Sequence, residues 1–267
     1  MSGSENARIA DELMAVLGTG RSAGRHEALA MSDAYAVSAD IRARRERRGE
    51  RVLGRKIGFT NTTIWPLYGV SAPMWNYVYD STVRELPAGA GEFAISGLAE
   101  PRIEPEIVLG LGQAPVPGMT EEALLGCIEW VAHGFEIVQS VYPGWKLSVA
   151  ESAAAYGLHG GLAIGPRQTL GPDRAAWAER LASFTVTLRR NGQPVADGKG
   201  SNVLGSPVRA LGFLVDEIAR YPASAPLAAG EIVTTGTLTD AQPVVAGETW
   251  STELAGIPLA GIALTLR

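Results

Sequence analysis

Three glutamates carry the clearest chemistry in this chain. The stretch Pro101-Arg-Ile-Glu-Pro-Glu-Ile-Val-Leu109 reads as a strand in which polar and apolar positions alternate, placing Glu104 and Glu106 on one face and Ile103 and Ile107 on the other. Carboxylates two residues apart on a strand are separated by about 6.5 Å at the backbone, and their side chains can converge on one divalent cation. Glu136 lies in a second strand-like run, Phe135-Glu-Ile-Val138. Three oxygen donors suit a hard ion such as Mg²⁺ or Mn²⁺ better than zinc. The competing reading is that of solvated strand residues, the ordinary fate of charged side chains. Cys127, the single cysteine, excludes an internal disulfide and falls on the apolar face of an expected helix, where packing is a better role for it than nucleophilic attack.

The elements that must position these residues follow from periodicity and punctuation. Ile9, Leu13, Val16 and Leu17 recur at helical spacing before Gly18 and Gly20, and a second helix is expected from an N-cap at Ser32 to the cluster Arg42, Arg44, Arg45, Arg47 and Arg48. Beyond residue 50 short apolar runs alternate with Gly and Pro, so the body is expected to be β-rich. Strands are expected at 53–60, around Glu104 and Glu136, at 160–165, and at 231–238, 248–254 and 262–266. Thr120 caps a helix expected to run through Leu124, Cys127, Ile128 and Val131 and to stop at Gly134. Ser148 and Glu151 make a capping box, Asp173 and Ser206-Pro207 open two more helices, and Asn191-Gly192 is a hairpin turn. The elements sum to an α+β fold, because its strands are not regularly separated by helices.

Composition narrows the partners. A net charge of -5 disfavours nucleic acid, whose binding rests on clustered cations, and the arginine cluster is expected to be a solvated helix end. No apolar run reaches the length of a membrane helix and the start has no signal-peptide pattern, so a cytoplasmic protein is expected.

Seven motifs in order resemble the 2-keto-4-pentenoate hydratases and oxalocrotonate decarboxylases of the fumarylacetoacetate hydrolase superfamily. They are Asp33-Ala-Tyr35, Gly54-Arg-Lys-Ile-Gly-Phe-Thr60, Gly69-Val70 with Pro73, Glu104-Pro-Glu106, Phe135-Glu-Ile-Val138, Val203-Leu-Gly-Ser-Pro207 and Gly230-Glu-Ile-Val-Thr-Thr-Gly-Thr237. The resemblance implies a mixed β-roll, like the C-terminal part of fumarylacetoacetase, over 51–267, with an N-terminal helical portion over 1–50 packed on it. It implies Mg²⁺ or Mn²⁺ on Glu104, Glu106 and Glu136, a substrate-facing Lys56, and substrate contacts at Gly236 and Thr237, with Gln139 assigned to the substrate beside them. A small 2-oxo acid substrate and a homo-oligomer are implied as well. Read without the resemblance, Lys56 and Thr237 are ordinary strand and turn residues.

The chain departs from the family pattern at Ser71, where relatives carry Asp, and at Gln139-Ser140-Val141, where they carry Asp-Ser-Arg. In the region of the alanine-rich helix, Glu151 and Tyr156 stand where an Asp and an Asn are usual. His159, in the turn Gly157-Leu-His-Gly160, is weighed as a general acid or base against a structural role. Four functions follow from these readings: hydration of a 2-hydroxy-2,4-dienoate, decarboxylation of a 2-oxo-enedioate, C–C bond hydrolysis of an acylpyruvate with His159 alone or paired with Glu151, or binding of a bulkier ligand through the aromatic residues Trp65, Trp75, Tyr77 and Tyr79. For those aromatics, core or interface packing is the default.

Overall fold

Helical spacing at the start of the chain and short alternating runs after it produce two unequal parts in the computed structural model, which describes residues 3–62, 65, 72–221 and 224–267. Helices α1 (Gly3–Val16) and α2 (Met31–Arg47) precede strands β1 (Val52–Gly58), β2 (Met74–Tyr79), β3 (Val83–Glu85), β4 (Ala90–Phe93) and β5 (Arg102–Leu111). Helix α3 (Glu121–Cys127) runs into β6 (Ile128–Val138), and α4 (Val149–Ala154) precedes β7 (His159–Ile164) and β8 (Gln168–Thr169). Helix α5 (Arg174–Ser183) leads to the hairpin of β9 (Thr185–Arg190) and β10 (Gln193–Lys199). After α6 (Pro207–Ala219) come β11 (Ile232–Thr234), β12 (Gln242–Pro243), β13 (Thr249–Ala255) and β14 (Ala263–Leu266).

The strands form two mixed sheets. The larger has the order β2-β1-β11-β5-β6-β7-β3, with β12 added to β5 and β8 to β6; the smaller has the order β10-β9-β13-β14-β4. The larger sheet curls into a half-barrel with the N-terminal helices packed on it, which is the α+β roll anticipated from the sequence. Alternation along β5 and β6 sends Ile103, Phe135 and Ile137 into an apolar layer shared with Trp250 and Leu264 of the smaller sheet. The other face begins with a plug of Val78, Val108, Ala132, Leu162, Ile164 and Ile232. Lys56, Glu104, Glu106, Glu136 and Thr234 share the parity of that plug and occupy the next level along the same face.

Pro105 explains where this face opens. It has no N–H to give to a neighbour, and it lies on β5 between the residues paired with β11 (Val108 to Gly110) and those paired with β12 (Arg102 and Ile103). The chain between β11 and β12 leaves the sheet there, so the strand expected at 231–238 ends at Thr234.

Two expected boundaries shift. Helix α3 stops at Cys127, and Ile128, Val131 and Gly134 belong to β6, which pairs with β5 from Ile128 to Val138. Ladder pairing of Ile128, Trp130 and Val131 outweighs their fit to a helical stripe, a tertiary override of a local pattern. Helix α2 begins at Met31 with Ala30 in the cap position, so Ser32 lies inside the first turn. The arginine cluster is also less solvated than expected. Arg45 is buried against Glu50 at 2.5 Å and over the Tyr79 ring at 3.7 Å, and Arg44 pairs with Asp40.

The other signals hold. Ser148 and Glu151 form their reciprocal capping box, Ser206 and Asp173 cap α6 and α5, and Asn191 and Gly192 turn the hairpin with positive φ. Cys127 is buried in the core, as its place on the apolar face requires.

Candidate functional site

Register in the larger sheet brings the three glutamates together. Glu104 on β5 lies directly opposite Glu136 on β6, and Glu106 follows two residues along. Like charges facing across a ladder destabilise a sheet, so the arrangement calls for a compensating cation. One carboxylate oxygen from each glutamate lies within 4.8 Å of the others. Glu106 Oε2 accepts from Gly236 N at 2.8 Å and from Thr234 Oγ1. Glu136 Oε1 accepts from His159 Nδ1 at 2.7 Å, and Glu136 Oε2 lies 3.3 Å from Lys56 Nζ. Glu106 Oε1 and Glu136 Oε2 are buried with no hydrogen bond. Two oxygens without a hydrogen bond in an all-carboxylate set fit a hard divalent ion.

Charge at this site is balanced between burial and neighbours. Burial lifts Glu104 to about 7 against the pull of Lys56, and burial with the charges of Glu136 and Glu104 raises Glu106 well above the usual carboxylate range. Burial also works to raise Glu136, but Lys56 and His159 together hold it below its ordinary value. Lys56 is pushed down by burial, yet the three carboxylates raise it overall, so it stays an ammonium. His159 is lowered by burial despite its carboxylate partner.

Lys56 comes from β1, paired with Thr234 of β11, and its Nζ donates to Gly157 O at 2.8 Å. Gly157 has φ 63°, and a Cβ there would stand 2.7 Å from Asn76 Cβ and 3.1 Å from Lys56 Cδ, so only glycine lets this turn close on the lysine. The turn follows α4, which is tied to the N-terminal segment by Glu151. That carboxylate is fully buried and accepts from Arg25 Nε and Nη2 at 2.8 and 2.9 Å, from His26 N at 2.7 Å and from Ser148 N at 2.7 Å.

A cavity of about 780 Å³ opens over the cluster. Lys56, Glu104, Gly236 and Thr237 line it near the carboxylates, and Phe59, Met74, Trp145, Leu147 and Leu158 supply apolar wall. Gly236 has φ 98°, and a Cβ there would meet Thr60 Oγ1 at 2.1 Å, so the loop needs glycine to present its N–H to Glu106.

The other residues singled out in the sequence lie as follows. Gln139 is buried away from the cavity lining, its amide accepting from Ala99 N at 3.2 Å and donating to His159 O at 3.3 Å. His159 stands behind Glu136, with Nε2 2.9 Å from Thr82 Oγ1. The Glu151–His159 pair does not form, since Glu151 is taken by Arg25, His26 and Ser148 and His159 by Glu136. Trp75 stacks on Tyr35 at 4.9 Å and meets Tyr77 edge-on at 5.4 Å within the core, so these aromatics do not wall the cavity. Gly69, Val70 and Ser71 lie outside the described residues.

Residues that sequence reading missed include Thr234, Arg25, Thr82, Arg102 and Trp145. Thr234 had a signal, since it lies in the Gly-Glu-Ile-Val-Thr-Thr-Gly-Thr run, and so did Arg102, two residues before Glu104 on the same strand face; the others are brought in only by long-range packing.

A curled mixed sheet that sets three facing carboxylates and a buried lysine beneath an open cavity defines the class of protein. Residues 80–261 match the family model described as fumarylacetoacetate (FAA) hydrolase C-terminal, and the chain belongs to that family. It is 33% identical over 241 residues to the 2-hydroxyhexa-2,4-dienoate hydratase of Comamonas testosteroni, covering 90% of this chain and 88% of that protein. It is 30% identical over 232 residues to the 4-oxalocrotonate decarboxylase of Pseudomonas sp. (strain CF600), covering 86% and 83%. The 4-oxalocrotonate decarboxylase from Pseudomonas putida G7, solved with magnesium and adipate, shares the fold with a TM-score of 0.90 over 100% of this chain and 99% of that one, at 23% identity.

Proposed function

We propose that the chain is a divalent-metal-dependent lyase that hydrates short 2-hydroxy-2,4-dienoic acids through their 2-oxo tautomers. The observation that carries this reading is the convergence of Glu104, Glu106 and Glu136 beside Lys56, with Glu104 and Lys56 in the lining of the cavity. The likeness to hydratases and decarboxylases of short unsaturated acids supports it. Bound Mg²⁺ or Mn²⁺ supplies a hard Lewis acid that stabilises negative charge developing on the 2-oxo group of a chelating acid.

The chain's own residues do the rest. Glu104, Glu106 and Glu136 hold the ion; Thr234 and Gly236 N fix the carboxylate of Glu106, and His159 fixes that of Glu136. With one ring nitrogen on Glu136 and the other beside Thr82, His159 is a positioning residue. Gln139 braces the backbone at His159. Lys56 stands at the cavity floor beside Glu136, where its Nζ pairs with the substrate carboxylate and steadies charge that spreads along the diene. Gly236 and Thr237 form the wall against which the acid head rests, and Phe59, Met74 and Leu158 shield the diene from bulk water.

The test is turnover of 2-hydroxypenta-2,4-dienoate and its 5-methyl homologue with Mg²⁺ or Mn²⁺, followed as loss of the dienol absorbance, with CO₂ release measured in parallel on a 2-oxo-enedioate. Metal-dependent loss of absorbance that disappears in Glu106→Gln supports the reading. Absence of turnover on every short 2-oxo-enoate in the presence of metal refutes it.

A further inference from the structure

His133 is a buried titratable side chain that the proposed chemistry leaves unused. It lies on β6 opposite Ile107 of β5, on the face that carries Phe135 and Ile137, so it points away from the glutamates and into the apolar layer between the two sheets. The residue is 1% exposed, and its ring meets Phe135 edge-on at 5.9 Å. An imidazole in such a layer costs free energy unless both nitrogens are satisfied, and here both are. Nδ1 lies 2.9 Å from the backbone O of Glu106, and Nε2 lies 2.9 Å from Oγ1 of Thr252, on β13 of the smaller sheet.

Partner chemistry fixes the direction of these bonds. A carbonyl oxygen can only accept, so Nδ1 carries the proton. No carboxylate pairs with the ring among the described residues, and a buried imidazole without a counter-charge stays neutral, so Nε2 accepts from the Thr252 hydroxyl. The same Oγ1 accepts from Ile262 N at 3.2 Å, which leaves its own hydrogen for Nε2. The bonds therefore run one way, from Ile262 N–H through the Thr252 hydroxyl and the His133 ring to the carbonyl of Glu106. They end where β5 has least support from its ladder. Pro105 has no N–H to give, and pairing with β11 covers Val108 to Gly110 while pairing with β12 covers Arg102 and Ile103. Gly236 N and Thr234 Oγ1 hold the carboxylate of Glu106 on one face of the sheet, and His133 holds its main chain from the other.

We propose that His133 is a positioning residue for the metal ligand Glu106, and that Thr252, in the other sheet, sets the tautomer in which it acts. This rests on the reading of the three glutamates as holders of a divalent ion. Affinity for an ion depends on how far its donors are placed in advance, because freedom left to a ligand is lost on binding. Glu106 keeps one carboxylate oxygen on Gly236 and Thr234 and the other without a hydrogen bond, so a shift of its main chain moves that second oxygen relative to Glu104 and Glu136. The smaller sheet thus braces a site to which it contributes no metal ligand.

The experiment titrates Mg²⁺ calorimetrically into the full chain stripped of metal, while urea denaturation in chelator reports the stability of each variant separately. His133→Leu fills the apolar layer without a donor and is expected to bind Mg²⁺ about tenfold more weakly, the low end for loss of an outer partner because the bond is to main chain rather than to the carboxylate. His133→Gln, whose amide can donate to Glu106 O and accept from Thr252, should recover most of that loss. Thr252→Val keeps the side-chain shape without the hydroxyl and should lower affinity toward that of His133→Leu, whereas Thr252→Ser should stay near wild type. Imidazole ¹⁵N shifts of the wild-type protein should show a protonated Nδ1 and a bare Nε2. A bare Nδ1 overturns the proposal, as does wild-type affinity in His133→Leu, which would make the ring a packing group. Equal loss in His133→Leu and His133→Gln overturns it too, because the donor would then be irrelevant. Should His133→Leu fail to fold, equal affinities in Thr252→Val and Thr252→Ser overturn the proposal in its place. If the wild-type protein does not bind Mg²⁺, the reading of the site falls and this inference with it; equal binding by wild type and His133→Leu removes the inference alone.

Discussion

Replacing Glu104 by Gln should stabilise the metal-free protein at neutral and alkaline pH while removing its response to Mg²⁺. In the folded chain burial holds the Glu104 carboxyl near pH 7, against an ordinary value of 4.5. Between those values the native state binds a proton that the unfolded chain has released, so stability falls as pH rises through this window. A difference of about 2.5 units corresponds to about 3 kcal/mol lost from pH 4 to pH 8, an upper figure because the half-buried carboxylate keeps part of its hydration. Glutamine has no proton to release and no charge to set against Glu136 and Glu106.

The assay is urea denaturation of both proteins in chelator at pH 4 and pH 8, taking the difference between wild type and variant so that other titrating groups cancel. The gain for Glu104→Gln should be near zero at pH 4 and up to about 3 kcal/mol at pH 8. With Mg²⁺ the order should reverse, since ligand binding stabilises only the protein that retains its site. A variant less stable than wild type at pH 8 in chelator, or one that gains equally from Mg²⁺, would refute the argument that these carboxylates repel one another until an ion joins them.

Lys56→Met should tighten Mg²⁺ binding, because the ammonium 3.3 Å from Glu136 competes with the ion for that carboxylate, while lowering turnover by about 100-fold or more; calorimetry and steady-state rates separate the two effects. His159→Ala should weaken metal affinity by about 10- to 100-fold, as loss of a positioning partner does, and saturating Mg²⁺ should restore most of the rate. A rate that stays low at saturating metal would instead make His159 a proton-transfer group. Arg25→Ala leaves Glu151 buried without its guanidinium partner and should cost about 3 kcal/mol in urea denaturation, with Glu151→Gln recovering part of the loss in the double variant.

The sequence by itself determined the local features and one face of the site. Alternation in Pro101–Leu109 put Glu104 and Glu106 on the same side of a strand, and caps at Ser148, Asp173 and Ser206 set three helix starts, because both kinds of information repeat within two to four residues. The third glutamate, Glu136, stood out in its own strand-like run, and the ordered motifs led to the roll. Tertiary structure decided matters that depend on residues far apart in the chain. Ile128 and Val131 fit a helical stripe, yet β5 was available as a ladder partner and drew them into β6. Glu151 carries a capping-box signal, but its main partner, Arg25, is 126 residues away. His159 is joined to Glu136 across 23 residues by the pairing of β6 with β7, and Arg102 acquires Trp145 only because a strained turn returns to the mouth of the cavity. Spacing along the chain fixes which side of an element a residue faces; only the packing of elements fixes what it meets there.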